Sequence, residues 1–296
     1  MRTRRTRFAA VLAAGLLALS ACGDAGSDAE GDSGPDVEVE EQDFEAGTRM
    51  AELQESGTVK IGVKFDQPGI GFKAAGADTP TGFDPAVGKI LAAKLGIDAD
   101  DIEWVETVSA NREPFLQNGT VDFVIASYSI TDDRRKVVGQ AGPYYVTGQS
   151  LLVAKDDDSI KSAEDLEGKK VCSVTGSTSI ETVEKQFGAT PAGFDTYSEC
   201  VDQLLNGSVD AVTTDAAILL GYAAEDPDKL KVVGEPFSEE RYGIGFGKDR
   251  PELCEFINES LTSAFEDGTW EEAFDSTLGK GGGEAGDPPT LDPCAA

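Results

Sequence analysis

No histidine occurs among the 296 residues. Its absence removes the commonest metal ligand, the usual general base and any Ser-His-Asp or Cys-His triad. Close Cys-x-x-Cys spacing is missing too, so neither a metal nor a cofactor is called for. The apolar run over residues 8–19 is too short to span a bilayer. Positive charge is scarce: 25 Lys+Arg face 55 Asp+Glu, and Arg2, Arg4, Arg5 and Arg7 all precede that apolar run. Without those four, 21 basic residues face 55 acidic ones, a net charge near −34. Such a surface repels nucleic acid and anionic lipid headgroups, and neither is an expected partner.

What is present begins with an export signal. Four arginines, a short apolar run and then small residues read as a signal peptide over residues 1–21. Leu19-Ser20-Ala21-Cys22-Gly23 resembles the lipobox of bacterial lipoproteins, which implies lipid on Cys22 and a membrane anchor. Between Gly23 and Gly47 lie ten acidic residues and no basic ones. Such a composition buries too little apolar surface to offset ordering entropy, so residues 22–47 are expected to form a disordered tether. Four further cysteines, Cys172, Cys200, Cys254 and Cys294, suit two disulfides in an exported protein. Three pairings are possible; Cys172 and Cys200 fall in one proposed lobe and Cys254 and Cys294 in the C-terminal part, so that pairing is expected.

The body alternates strand and helix patterns, which predicts an α/β fold with mostly parallel sheets. Val59, Ile61 and Val63 alternate with polar neighbours as a first strand, and Asp84-Pro85 reads as an N-cap and first turn of a helix ended by Gly96. Asn111 and Ser198 read as further helix caps. One segment echoes another 88 residues on: Leu116-Gln117-Asn118-Gly119-Thr120-Val121-Asp122 returns as Leu204-Leu205-Asn206-Gly207-Ser208-Val209-Asp210. Each reads as a helix end, a glycine stop and a buried strand. The pattern suits two lobes of similar design, one over residues 48–148 plus 243–278 and the other over 149–242, with a tail at 279–296. Two crossings, at residues 149–154 and 242–247, would make a hinge with a cleft between the lobes, where small ligands bind in open sheets.

The first echo leads into Ser127-Tyr128-Ser129-Ile130-Thr131-Asp132-Asp133-Arg134. Hydroxyls, a helix start at Thr131 and a guanidinium suit a small carboxylate, because a planar fork closes on both oxygens. The second echo leads to Thr213-Thr214-Asp215.

Thr81-Gly82-Phe83-Asp84, Asn118-Gly119-Thr120-Val121-Asp122, Ile130-Thr131-Asp132-Asp133-Arg134, Pro143-Tyr144-Tyr145 and Gly176-Ser177-Thr178 together resemble the polar amino-acid solute-binding proteins of ABC importers, the family 3 type. The match runs in family order over the whole body. Gly62-Val63-Lys64-Phe65-Asp66-Gln67-Pro68, Ala110-Asn111-Arg112 and Leu219-Leu220-Gly221-Tyr222 resemble the glutamate/aspartate-binding branch. The resemblance implies a two-lobed, type II periplasmic-binding-protein-like fold without catalytic activity. It implies Arg134 on the ligand's α-carboxylate, Ser127 and Ser129 beside it, Ser177 and Thr178 as donors from the second lobe, and Asp215 on the ammonium. Lys64 and Arg112 would face a distal carboxylate, so glutamate is expected first, aspartate next and glutamine or asparagine as the alternative. A monomer on the outer face of the cytoplasmic membrane would pass the ligand to permease subunits. An enzyme on a similar two-lobed scaffold, such as a dehydratase, is the competing class and would need a carboxylate or lysine as its acid or base.

Overall fold

A computed structural model describes residues 34–281 and 285–294. The expected signal peptide, Cys22 and the start of the acidic segment lie outside the described residues. The described chain runs through helix α1 (Arg49–Ser56), strand β1 (Val59–Val63), a hairpin of β2 (Asp66–Gln67) and β3 (Gly71–Phe72), helix α2 (Phe83–Lys94), β4 (Ile102–Glu106), α3 (Arg112–Gln117), β5 (Phe123–Val124), α4 (Asp132–Arg135) and β6 (Gly139–Thr147). Then follow β7 (Gln149–Ala154), β8 (Lys170–Val174), α5 (Thr178–Phe187), β9 (Thr190–Phe194), α6 (Tyr197–Leu205), β10 (Ala211–Asp215), α7 (Ala216–Glu225), β11 (Leu230–Val233), β12 (Glu240–Phe246), α8 (Glu252–Asp267) and α9 (Thr269–Asp275).

Two five-stranded sheets form two lobes of one design. The first has the order β4-β1-β5-β12-β6 and the second β11-β7-β10-β8-β9. In the first, β1 runs parallel to β4 and β5 while β12 is antiparallel to β5 and β6. In the second, β8 runs parallel to β9 and β10 while β7 is antiparallel to β10 and β11. The sequence echo falls on equivalent places. Asp122 accepts from the Lys60 N–H at 2.9 Å, and Asp210 accepts from the Lys170 N–H at 2.7 Å. Each carboxylate thereby ties the start of its own strand to the start of the next.

The chain passes from β6 to β7 through Gly148, whose missing Cβ leaves room for the Ser238 carbonyl of the return crossing. That return occupies residues 234–239, before the stretch at 242–247 expected from sequence. β12 already lies in the first sheet from Glu240 onward, paired with Thr147.

Local corrections have local causes. Asp84 does not cap α2: the helix starts behind Gly82, whose φ of 113° and contact with the Ile70 backbone exclude a side chain. Asp84 instead turns inward and is fully buried. Asn111 precedes α3 without a side-chain cap bond, and α6 is capped by Thr196 in a capping box with Glu199, two residues ahead of Ser198.

Residues 35–47 are not a free tether. Glu40 donates its N–H to the Ala93 carbonyl at 3.0 Å and pairs with Lys94, Gln54 bonds the Gln42 carbonyl at 2.8 Å, and Phe44 meets Phe256 edge-on at 5.7 Å. Average composition concealed two apolar anchors, Val37 and Phe44, and a lysine placed to receive a glutamate. Cys172 is bonded to Cys200 and Cys254 to Cys294. The second bond holds the tail, where Asp292 also takes Arg135 at 2.7 Å and Arg241.

Candidate functional site

Ser127 leaves β5 with φ 42°, a left-handed conformation uncommon for a residue with a side chain. The buried Asp84 carboxylate holds it there, accepting from the Ser127 N–H at 2.7 Å and from the Tyr144 hydroxyl at 2.5 Å. Burial pushes the Asp84 carboxyl up to about 7. Thr131 caps α4 by accepting from the Arg134 N–H at 3.2 Å, and the Arg134 side chain folds back under the loop. Its guanidinium donates to the Ser129 carbonyl at 2.7 Å and to the Gly176 carbonyl at 3.1 Å, and pairs with Glu113 at 3.2 Å. It also lies over the Tyr128 ring, 4.8 Å from the centroid.

Two more cations are buried nearby. Arg112 is 2 % exposed and spreads its donors over the carbonyls of Ser109, Ala126, Ser127 and Gly176, all at 3.1–3.2 Å. Glu113 pairs with Arg134 and accepts from the Tyr128 hydroxyl at 2.9 Å; the Arg112 guanidinium is spent on backbone. Burial, then the Arg134 charge, pushes Arg112 down to about 10. Lys64 is 3 % exposed and donates to the Ser109 hydroxyl at 2.8 Å. Burial, then Arg112, pushes it down to about 7.

The second lobe supplies the opposite wall. Ser177 caps α5, its hydroxyl accepting from the Ile180 N–H at 3.2 Å, and Thr178 donates its hydroxyl to Glu240 at 3.1 Å. Asp215 ends β10 and makes no side-chain cap bond to α7. Its Oδ2 accepts from the Tyr242 hydroxyl at 2.6 Å, while its Oδ1 is buried without a hydrogen-bond partner. Burial, then the Glu240 charge, pushes this carboxyl up to about 7.

The lobes are closed on one another. Gly176 offers its carbonyl to both Arg112 and Arg134, and Asp66 accepts from the Tyr197 N–H at 2.7 Å with its carboxylate and from the Tyr222 hydroxyl with its carbonyl. Arg112, Ser127, Ser129, Arg134, Ser177, Thr178 and Asp215 line one space, and Lys64 stands one hydrogen bond behind it through Ser109. Seven of the eight residues expected from sequence therefore line this space, and Lys64 reaches it through Ser109. Ser109, Tyr197 and Thr214 also line it and were missed. Tyr197 was findable: Thr196-x-x-Glu199 is a capping-box signature, and it makes Tyr197 the first residue of α6.

The arrangement is an electrostatic dipole across a cleft, with two guanidinium groups on one wall, Lys64 behind it, and an Asp215 oxygen without a partner on the other. Bacterial extracellular solute-binding proteins, family 3, have a family model that matches residues 59–280. The glutamate-binding protein GluB of Corynebacterium efficiens is 40 % identical over 289 residues, covering 93 % of this chain and 92 % of its own. The ABC transporter glutamine-binding protein GlnH of Bacillus subtilis is 35 % identical over 261 residues, 88 % of this chain and 91 % of its own. Among solved structures, an ancestral arginine-binding protein bound to glutamine superposes with a TM-score of 0.71 at 40 % identity, covering 75 % of this chain and 98 % of its own.

Proposed function

We propose, on the premise that this chain belongs to the family 3 bacterial extracellular solute-binding proteins, that it is the receptor through which an ABC importer captures an acidic amino acid, glutamate before aspartate. Binding of an amino acid outside the cytoplasm is the part its relatives share; the acidic side chain is the finer reading. One observation carries it: Asp215, whose buried Oδ1 has no partner, lines the same space as Arg134 and Arg112, and Lys64 is bonded to Ser109, which lines it too. A buried carboxylate oxygen without a donor is costly, and an α-ammonium supplies the donor. Arg134 then takes the α-carboxylate, with Ser127, Ser129, Ser177 and the backbone N–H of Thr178 at the start of α5 around it. Lys64 takes the distal carboxylate. Arg112, whose N–H groups hold carbonyls, adds its charge to the field there.

Lys64 is the selecting residue. A neutral ligand amide adds no counter-charge to the buried Lys64 ammonium, whereas a carboxylate does. The rival reading, glutamine, draws on the downward shift of Lys64, since a neutral amine suits an amide. Delivery to the permease, a lipid anchor at Cys22 and a monomeric receptor complete the proposal, with no catalytic step.

Calorimetry on the delipidated protein with glutamate, aspartate, glutamine, asparagine and arginine tests it. Glutamate is expected to bind tightest, Arg134→Ala to abolish every amino acid, and Lys64→Ala to weaken glutamate far more than glutamine. Tightest binding of arginine, or binding of none of the five, refutes the charge argument. Glutamate and aspartate are expected to differ by about 1–3 kcal/mol, the worth of one methylene in a fitted pocket.

A further inference from the structure

We propose that Glu240 is a positioning residue of the ammonium side of the cleft: from the hinge it orients the Thr178 hydroxyl and sets a second negative charge beside Asp215. The closed site thereby demands an ammonium and rejects a dicarboxylate of the same length that lacks one. The inference rests on the amino-acid reading above and adds a residue that does not line the cavity.

Glu240 is 5 % exposed and is the first residue of β12, opposite Thr147 at the end of β6. The two crossings between the lobes run side by side at this point. The Glu240 Oε1 accepts from the Ser238 hydroxyl at 3.0 Å, and the Ser238 oxygen accepts from the Gln149 N–H at 3.0 Å. Its Oε2 accepts from the Thr178 hydroxyl at 3.1 Å. One carboxylate thus joins the return crossing, the outgoing crossing and the helix start that faces the ligand space.

A hydroxyl has a single proton to donate. Because Thr178 gives that proton to Glu240, its oxygen can offer the cleft only lone pairs. Asp215 Oδ1 also offers only lone pairs. The two make an acceptor-only corner matched to the three donors of an ammonium. The groups around Asp215 are the Tyr242 hydroxyl bonded to it, Tyr145, Tyr197, Glu240, and the guanidinium groups of Arg112 and Arg134. Glu240 is the group among these whose negative charge acts with Asp215 to call for a cation. A ligand without one leaves Oδ1 orphaned inside a closed site, the situation in which a polar pocket discriminates most strongly.

The test is calorimetry on the full chain with L-glutamate and with glutarate, which is glutamate with hydrogen in place of the ammonium. Glu240→Gln and Thr178→Val are compared with the wild type from about pH 5 to pH 8. Glu240→Gln is expected to weaken glutamate roughly tenfold, the worth of one charge-assisted contact, while glutarate binds no more weakly, so the ratio between the two shrinks. It also moves the acid-side loss of glutamate affinity to lower pH, because Asp215 has lost a negative neighbour. Thr178→Val weakens glutamate but leaves that acid limb in place. Equal weakening of both ligands by Glu240→Gln with an unmoved pH profile overturns the proposal, since a merely structural hinge role predicts that result. If Glu240→Gln loses its cooperative thermal transition, unchanged glutamate affinity in Thr178→Val overturns it. A wild type that binds no amino acid overturns both readings. A wild type that prefers glutamine overturns only the acidic one, and the same comparison is then made with glutamine and its deaminated analogue.

Discussion

Replacing Gly176 by alanine should cost ligand affinity more than it costs folding. Gly176 has φ +82°, a conformation that an added side chain disfavours by about 1 kcal/mol. This penalty belongs to the second lobe alone and is present whether the cleft is open or shut. The second penalty arises only on closure. A Cβ here would stand 3.0 Å from Ala110 Cα and 3.1 Å from Ala110 N, both backbone atoms of the opposite lobe that cannot swing aside. Relief requires the lobes to part by a few tenths of an ångström, which stretches the 3.1 Å bonds from Arg112 and Arg134 to the Gly176 carbonyl. Overpacking of this kind costs roughly 1–3 kcal/mol, so a central value of about 2 kcal/mol corresponds to about a thirtyfold rise in Kd. The assay pairs calorimetry with glutamate against thermal unfolding of the ligand-free protein. A lowered Tm with affinity unchanged within about twofold would refute the reasoning, because the strain would then lie wholly inside one lobe.

Affinity should follow pH differently for the two candidate ligands. Asp215, raised to about 7 in the closed cleft, must release its proton to hold an ammonium, so affinity is full above that pH and falls as pH drops through it. Lys64, lowered to about 7, must gain a proton to face a carboxylate, so affinity for glutamate is full below that pH and falls as pH rises through it. Glutamate binding should therefore be bell-shaped around neutrality and glutamine binding should show the acid limb alone; an alkaline fall shared equally by both ligands would remove Lys64 from the site. Asp84→Asn should destabilise the ligand-free protein by about 1–3 kcal/mol in urea unfolding, since an amide meets the Ser127 N–H and Tyr144 hydroxyl with fewer acceptors. The wild-type Asp84 carboxyl has a folded pKa above its unfolded value, so its contribution is present at acid pH and lost as pH rises through about 7. The gap between wild type and variant should therefore narrow from about pH 5 to about pH 8, and a constant gap would show that Asp84 does not titrate in this window.

What could be read from the sequence was what is encoded by neighbours. The repeated Asn-Gly-Thr/Ser-Val-Asp segment works within each lobe: Asn118 and Asn206 accept from Thr120 and Ser208 two residues on, and the aspartates tie adjacent strands. Thr131 as a helix start and the burial of Val59, Ile61 and Val63 follow from equally local rules. The misread positions share the opposite property. Asp84 looked like a cap because its neighbours fit one, yet its partners are 43 and 60 residues away. Glu40 belongs to an acidic run, and only the position of Lys94 on α2 makes it an anchor.

The site itself is a mixture of these two kinds of information. Motif order placed Arg134, Thr178 and Asp215 together, because each ends a strand or begins a helix at the same edge of a lobe. The electrostatic character of the closed cleft was not legible, since it depends on which polar atoms remain without partners after closure. Asp215 Oδ1 is free because Tyr242 takes only the other oxygen, and Thr178 accepts because Glu240 has its proton. Tyr242 and Glu240 both lie on β12, the strand that brings the chain back from the second lobe. The return strand therefore decides what the cleft can hold without lining it, and substitutions on β12 should alter ligand choice where substitutions on the more exposed edge strands β4 and β9 alter only stability.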